Sequence, residues 1–188
     1  MIFGWKPGGK APQKKEEVDL NKRRMLFGVV DKLRGAESAP MAAVAQAAPV
    51  LAEANAAFAA GNWAEATEKY KEFLAQESAN GEARQRLGEC LYRQGRYIQA
   101  KVEFERLMQK NHKDNSALLF LGLVLARLER LDKAAVVWKL FFNPHNVMVQ
   151  RELNLQIGLI EIATEDAPAS HAEVADAVEQ ALEASRKA

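Results

Sequence analysis

A ten-residue phrase recurs three times along the chain at a constant interval. It begins at Gly61 (GNWAEATEKY), at Gly95 (GRYIQAKVEF) and at Glu129 (ERLDKAAVVW), each 34 residues after the last. A fixed period of this length indicates a stack of supersecondary units, each of which buries its apolar face against its neighbours. The period therefore restricts the chain to a repeat architecture and sets the register for every other residue.

The positions that stay alike in this register are small or aromatic. The recurring small residues are Ala54, Gly88 and Gly122 at position eight, and Ala66, Ala100 and Ala134 at position twenty. The recurring rings, at position twenty-four, are Tyr70, Phe104 and Trp138. Two antiparallel helices approach closely only where side chains are small. We therefore expect positions eight and twenty to face each other, with the ring filling the gap between successive helix pairs.

The turn inside each unit is predicted from its first residue. Gly61 and Gly95 suit a left-handed backbone conformation, because a glycine has no Cβ to clash there. Glu129 occupies the same place in the third unit, so we expect that turn to adopt another geometry. Pro144 disfavours helix just before it, which predicts that the second helix of this unit ends near Phe142.

This pattern resembles the tetratricopeptide repeat (TPR) family, whose helix–turn–helix units stack into a right-handed superhelix. The resemblance implies an all-α fold, a TPR-type α-solenoid of antiparallel helix pairs. No stretch shows the alternation that a β-strand needs. The implied units are 47–80, 81–114 and 115–148, followed by a capping helix at 149–163 and a C-terminal tail with an Ala-rich helix at 164–188.

In TPR proteins the first helices of the units line a concave groove that binds a partner. The groove residues implied by register are Asn55, Glu82, Arg86, Glu89, Tyr92, Arg93, Leu119, Phe120, Leu123 and Arg127. The arginines are expected to pair with acidic groups of the partner. Leu119, Phe120 and Leu123 are expected to be solvent-exposed, and contiguous exposed apolar residues usually mark a binding site.

The chain itself contains a second candidate occupant for this groove. The C-terminal helix, with Ser170 and Glu173 as a predicted capping box, carries Val174, Val178 and Leu182 on one stripe. It is able to fold back onto the groove in place of a partner helix or peptide. From the sequence, both occupants remain open.

Charge is distributed unevenly along the chain. Residues 1–35 contain nine basic and four acidic residues, and the remainder contains 17 basic and 21 acidic residues. This basic N-terminal tail, with a short predicted amphipathic helix, precedes an Ala/Pro linker at 36–46. The tail residues predicted to dock on a membrane or on a partner are Ile2, Phe3, Trp5, Lys22, Arg23 and Arg24. Packing onto the first repeat and plain disorder are the alternatives for this segment.

Other classes of site lack a sequence signal. The three histidines and Cys90 do not have ligand spacing, so no metal site or cofactor is predicted. No catalytic motif or phosphate-binding loop is present, and the near-balanced net charge argues against nucleic-acid binding. We therefore predict a protein that is not an enzyme, with no small-molecule substrate. Without a signal-peptide pattern, a cytoplasmic location is expected, with the inner face of a membrane as the alternative.

The predicted function is a non-catalytic scaffold or adaptor. Its repeats would hold a peptide or helix of a protein partner in the concave groove, as a subunit or assembly factor of a larger complex. The alternative is a peripheral membrane tether, in which the basic tail binds anionic lipid while the repeats recruit cargo.

Overall fold

The computed structural model describes residues 47–164 and 168–187. The basic tail, with its predicted docking residues from Ile2 to Arg24, and the linker both lie outside the described residues. Within the described ranges every regular element is a helix. These helices are α1 (residues 47–59), α2 (Trp63–Gln76), α3 (Gly81–Arg93), α4 (Tyr97–Lys110), α5 (Asn115–Arg127), α6 (Leu131–Trp138), α7 (Val147–Ile162) and α8 (His171–Lys187).

Neighbours in sequence are neighbours in space. From α2 to α8, each helix packs against the next, and α3 also contacts α5. Contacts that run along the stack in this way are those of a solenoid, in which each unit is stabilised by adjacent units. The predicted all-α, TPR-like α-solenoid is thus confirmed.

Glycines in two first helices make room for the aromatic rings of the second helices. A Cβ on Gly88 would lie 2.7 Å from Cζ of Phe104, and one on Gly122 would lie 2.0 Å from Nε1 of Trp138. Position eight therefore faces the ring at position twenty-four of its own unit, which needs this space. The Phe104 ring also stacks on Phe120 of the next unit, with centroids 5.5 Å apart, so it does fill the gap between pairs.

All three turns within the units share one backbone geometry. The φ angle is 75° at Gly61, 72° at Gly95 and 59° at Glu129. The prediction of a different third turn is wrong. The amides of Glu129 and the next residue donate to carbonyls in the last turn of α5, at 3.0 and 2.9 Å. These bonds close the helix end and hold a glutamate in the left-handed region.

Helix α6 ends at Trp138, four residues before the predicted end near Phe142. The chain turns there because Phe141 is buried in the core. The backbone of Phe142 pairs with the side chain of Asn115, which donates to its carbonyl at 2.7 Å and accepts from its amide at 3.3 Å. Asn146 then caps α7 by accepting a hydrogen bond from the amide three residues later.

Candidate functional site

Helix α8 covers one side of the first helices of the units. It packs against α5 and α7, and its polar side chains reach α3 through Tyr92, Arg93 and Glu89. Since α3, α5 and α7 each begin a helix pair, this is the side on which the predicted groove lies. The sequence left open whether a partner or the chain's own C-terminal helix lies in this groove. In the structure, the C-terminal helix α8 lies there. We call the surface between α8 and these three helices the α8 interface.

The apolar half of the α8 interface follows from the stripe on α8. Its buried residues are Val174, Ala175, Val178 and Leu182. They recur every three or four positions and so lie on one face of the helix. The helix begins after Ser170, whose hydroxyl accepts a hydrogen bond from the amide of Glu173 at 3.4 Å, as predicted for an N-cap. The sequence thus identified the correct face of α8.

The expected exposure of Leu119, Phe120 and Leu123 is wrong, because all three are buried. Helix α5 contacts α3, α4, α6 and α8, and all of its residues from Ala117 to Ala126 are buried. The Phe120 ring lies between two others, with centroids 6.0 Å from Tyr92 and 5.5 Å from Phe104. Positions that the register placed in an open groove are therefore core positions in this fold.

An ionic cluster joins α8 to the end of α5. Arg127 donates from Nη2 to Asp176 and to Glu179, both at 2.6 Å, and from Nε to the hydroxyl of Tyr92 at 3.4 Å. The Tyr92 hydroxyl in turn donates to Glu179. Burial and this bond raise the pKa of Tyr92. Burial alone would lower the pKa of Arg127, but its three hydrogen-bonded partners raise it, so the guanidinium stays charged.

A second cluster joins α8 to α3 around a buried carboxylate. Glu89 is 3% exposed, and a charge that is taken out of water needs a paired cation. Arg186 of α8 donates to Glu89 at 2.8 Å, and Arg93 lies 4.0 Å from the same oxygen. Arg93 also pairs with Glu183 at 3.3 Å. The docked α8 therefore supplies one of two cations that neutralise Glu89.

The remaining predicted groove residues form a separate group between the first two units. The side-chain oxygen of Asn55 accepts from Tyr70 at 2.7 Å and from Arg86 at 3.0 Å. Arg86 also pairs with Glu82 at 2.7 Å, and its guanidinium lies over the ring of Phe58. These contacts link α1 to α3. The register thus predicted residues of two separate places. One group links α1 to α3, and the other lies at the α8 interface.

The sequence did not predict the α8 half of the ionic contacts. The missed residues are Asp176, Glu179, Glu183 and Arg186. The usable signal was that three acidic residues each follow an apolar residue of the buried stripe, in the pairs 175–176, 178–179 and 182–183. An acidic edge beside an apolar stripe suits a surface that is rich in arginine.

An open apolar surface lies on the side of the second helices. A groove of about 720 Å³ runs between α4 and α6 over buried residues of α5. Ile98 and Val136 on its rim are 71% and 62% exposed. The rim charges are mixed, with Lys101, Lys133 and others beside Glu105 and Asp132, so the groove does not select a partner of one charge.

Cys90 is a buried thiol in the second unit. Burial and the nearby Glu89 raise its pKa to about 12, which keeps it in the unreactive thiol form. Among the described residues, no three His, Cys, Asp or Glu side chains form a group that could hold a metal ion. No helix in the described ranges is long and apolar enough to cross a membrane.

Comparison with known proteins agrees with the geometry. Residues 57–124 match the family model of the tetratricopeptide repeat, a span that runs from α1 into α5. No curated protein matches the chain. The match covers the region in which Gly88 receives the Phe104 ring and successive helices from α2 to α5 pack in order. The chain is therefore a TPR-type repeat protein.

Proposed function

We propose that this protein is a non-catalytic scaffold that binds a partner protein on the side of the stack covered by α8, as a subunit or assembly factor of a larger complex. TPR repeats are generally protein–protein interaction modules. The observation that carries the proposal is that this side already binds a helix, since α8 buries its apolar stripe there. A surface that accepts one amphipathic helix has the shape and chemistry to accept another.

The test is site-specific photocrosslinking in the native cell. A photoreactive amino acid replaces Glu82, an exposed residue of α3 in the predicted groove. The matched control replaces Val136, which is exposed on α6 on the side of the second helices. We expect a covalent adduct with another protein from position 82 and none from position 136. Adducts from position 136 alone, or from neither position, would refute the proposal.

A further inference from the structure

We propose that α8 is an intramolecular ligand, and that the partner is an amphipathic helix with the charge pattern of α8 that takes its place. This inference rests on the proposed function and specifies the chemistry of its binding site. The docked α8 shows which side chains the surface accepts, at which spacing and in which direction. Each of these requirements can be stated from the contacts of the α8 interface.

The first requirement is an apolar stripe with a narrow edge of acidic residues. The stripe residues Val178 and Leu182 are each followed directly by a glutamate, and Ala175 by an aspartate. These three acids are the ones that Arg127 and Arg93 bind. A ligand helix therefore needs an acid directly after each of the anchors that correspond to Ala175, Val178 and Leu182. A basic residue there would face the arginines, and like-charge contacts select against wrong partners.

The second requirement is a cation near the C-terminal end of the ligand helix. With α8 docked, Glu89 is 3% exposed, and Arg186 is its closest cation at 2.8 Å. A helix without this cation would leave Glu89 with Arg93 at 4.0 Å, a weaker pairing for a buried charge. The charge order along the ligand is thus acid, acid, acid, base, as at positions 176, 179, 183 and 186.

The third requirement is direction. Glu183 pairs with Arg93 at the end of α3, and the later residue Arg186 pairs with the earlier residue Glu89. Near the end of α8, Ser185 accepts a hydrogen bond at 3.1 Å from Asn146, the cap at the start of α7. Helix α8 thus runs antiparallel to α3 and α7. A partner helix with the same order of charges binds in the same direction.

A partner can displace α8 because much of its polar attachment lies at the rim. The side chains of Asp176 and Glu183 remain about half exposed in their ion pairs, and exposed pairs contribute little individually. Because α8 follows α7 in the same chain, it has a high effective concentration at its site. A free helix of equal chemistry therefore competes poorly against the intact chain, and well once the docking of α8 is weakened.

The test uses the full chain and a labelled synthetic peptide with the sequence of residues 168–188. Fluorescence anisotropy measures peptide binding to the wild type and to Val178→Asp, which places a charge in the buried stripe of the tethered helix. We expect the variant to bind the peptide at least about tenfold more tightly than the wild type, because the tethered competitor is weakened. If Val178→Asp does not fold by circular dichroism, Leu182→Ala serves in its place.

Charge-reversed peptides test the acidic edge. We call the variant with weakened α8 docking, Val178→Asp or Leu182→Ala, the loosened chain. A peptide with lysine at positions 176, 179 and 183 is expected to bind it at least about tenfold more weakly than the unaltered α8 peptide does. Adding Arg127→Glu to the loosened chain is expected to recover part of its binding. Equal binding of the two peptides would overturn the inference, as would no binding to a folded, loosened chain. A loosened chain that dimerises by exchanging α8, without binding the peptide, would make a second copy the occupant and would also overturn it.

The same peptides separate this inference from the proposed function. Excess α8 peptide is expected to suppress the crosslinked adduct at position 82, and the charge-reversed peptide is not. If the adduct forms and neither peptide suppresses it, the scaffold function stands and the α8-like ligand is refuted. If no adduct forms in the cell, the scaffold function fails, while the binding assay still decides the chemistry of the α8 interface.

Discussion

Glu129 holds a backbone conformation that two glycines supply in the earlier turns. Its φ of 59° lies in the left-handed region, where a residue with a Cβ pays about 1–2 kcal/mol. Glycine costs about 0.4–1 kcal/mol more conformational entropy on folding. We therefore expect Glu129→Gly to raise the free energy of unfolding by about 1 kcal/mol, measured by urea denaturation.

Glu129→Ala is the control for this prediction. It keeps a Cβ in the left-handed region and loses the contact between Glu129 and His171 at 3.4 Å. We expect alanine to bring no gain in the free energy of unfolding. An equal gain from alanine and glycine would show that the glutamate charge, and not the backbone, is what costs stability.

Three glycines in helices differ only in what surrounds them. A Cβ at Gly122 would meet the Trp138 indole at 2.0 Å, one at Gly88 would meet the Phe104 ring at 2.7 Å, and one at Gly158 meets nothing within 4 Å. Overpacking a core costs about 1–3 kcal/mol, and alanine is favoured over glycine in a helix by about 0.5–1 kcal/mol.

Alanine at each of these positions should therefore give a graded result. We expect Gly158→Ala to stabilise by about 0.5–1 kcal/mol, Gly88→Ala to destabilise modestly, and Gly122→Ala to destabilise most, by about 2 kcal/mol. Chemical denaturation of the three variants gives the order. A Gly122→Ala variant as stable as the wild type would mean that the ring does not need this space.

At the scale of elements, the repeat register predicted contacts between neighbouring helices and failed beyond them. Glu89, Tyr92, Arg93 and Arg127 were named because their places on α3 and α5 follow from the 34-residue period. Their partners on α8 lie outside the period, so no register points to them. The burial of Phe120 was missed although its ring neighbours, Tyr92 and Phe104, lie within the second repeat.

The end of α6 shows a second limit of sequence patterns. Pro144 indicated a stop, but the helix ends earlier because Phe141 is buried and Asn115 binds the backbone of Phe142. The hydrogen bond between Asn115 and Phe142 joins residues 27 positions apart in the sequence. Local propensity sets an outer bound for a helix, and tertiary contacts decide where within it the helix ends.

Helix α8 should detach more readily than the helices that it covers. Its ion pairs to Arg93 and Arg127 lie partly in solvent, where salt screens them, whereas α5 contacts four helices. We expect faster amide hydrogen exchange in α8 than in α5, and a several-fold acceleration in α8 alone when salt is raised from about 0.05 to 1 M. Mass spectrometry of peptic fragments resolves the two helices.

Arg127→Gln is the matched control for the salt effect. It removes the charge that binds Asp176 and Glu179 and keeps a polar side chain of moderate length. Exchange in α8 should already be fast at low salt in this variant and should respond less to added salt. Equal exchange in α8 and α5 at both salt concentrations would contradict a separately detaching helix.

At the scale of the whole molecule, α8 connects helices of different repeat units that would otherwise contact only their neighbours in the stack. Stacked repeats are ordinarily stabilised by contacts between adjacent units, so their ends can unfold separately. Here one helix contacts α5 and α7 and forms ion pairs with α3, including Glu89 and Arg186, which lie 97 residues apart. Because α8 joins these units directly, its docking should make them unfold together.

This coupling can be measured with the tryptophans of two units. Trp63 begins α2 and Trp138 ends α6, and single-tryptophan chains report each region, with phenylalanine replacing the other tryptophans. The two urea transitions should coincide in the chain with an intact α8. Leu182→Ala, at a buried site of α8, should cost about 2 kcal/mol or more and move the Trp138 midpoint further than that of Trp63.

Leu159→Ala makes the same substitution outside the α8 stripe. Leu159 is 43% exposed on α7, whereas Leu182 is 8% exposed, so the control removes the same atoms with less buried surface. We expect both of its midpoints to stay close to those of the parent chain. Transitions that remain coincident in Leu182→Ala, or that separate equally in Leu159→Ala, would mean that the cooperativity of the stack does not depend on α8.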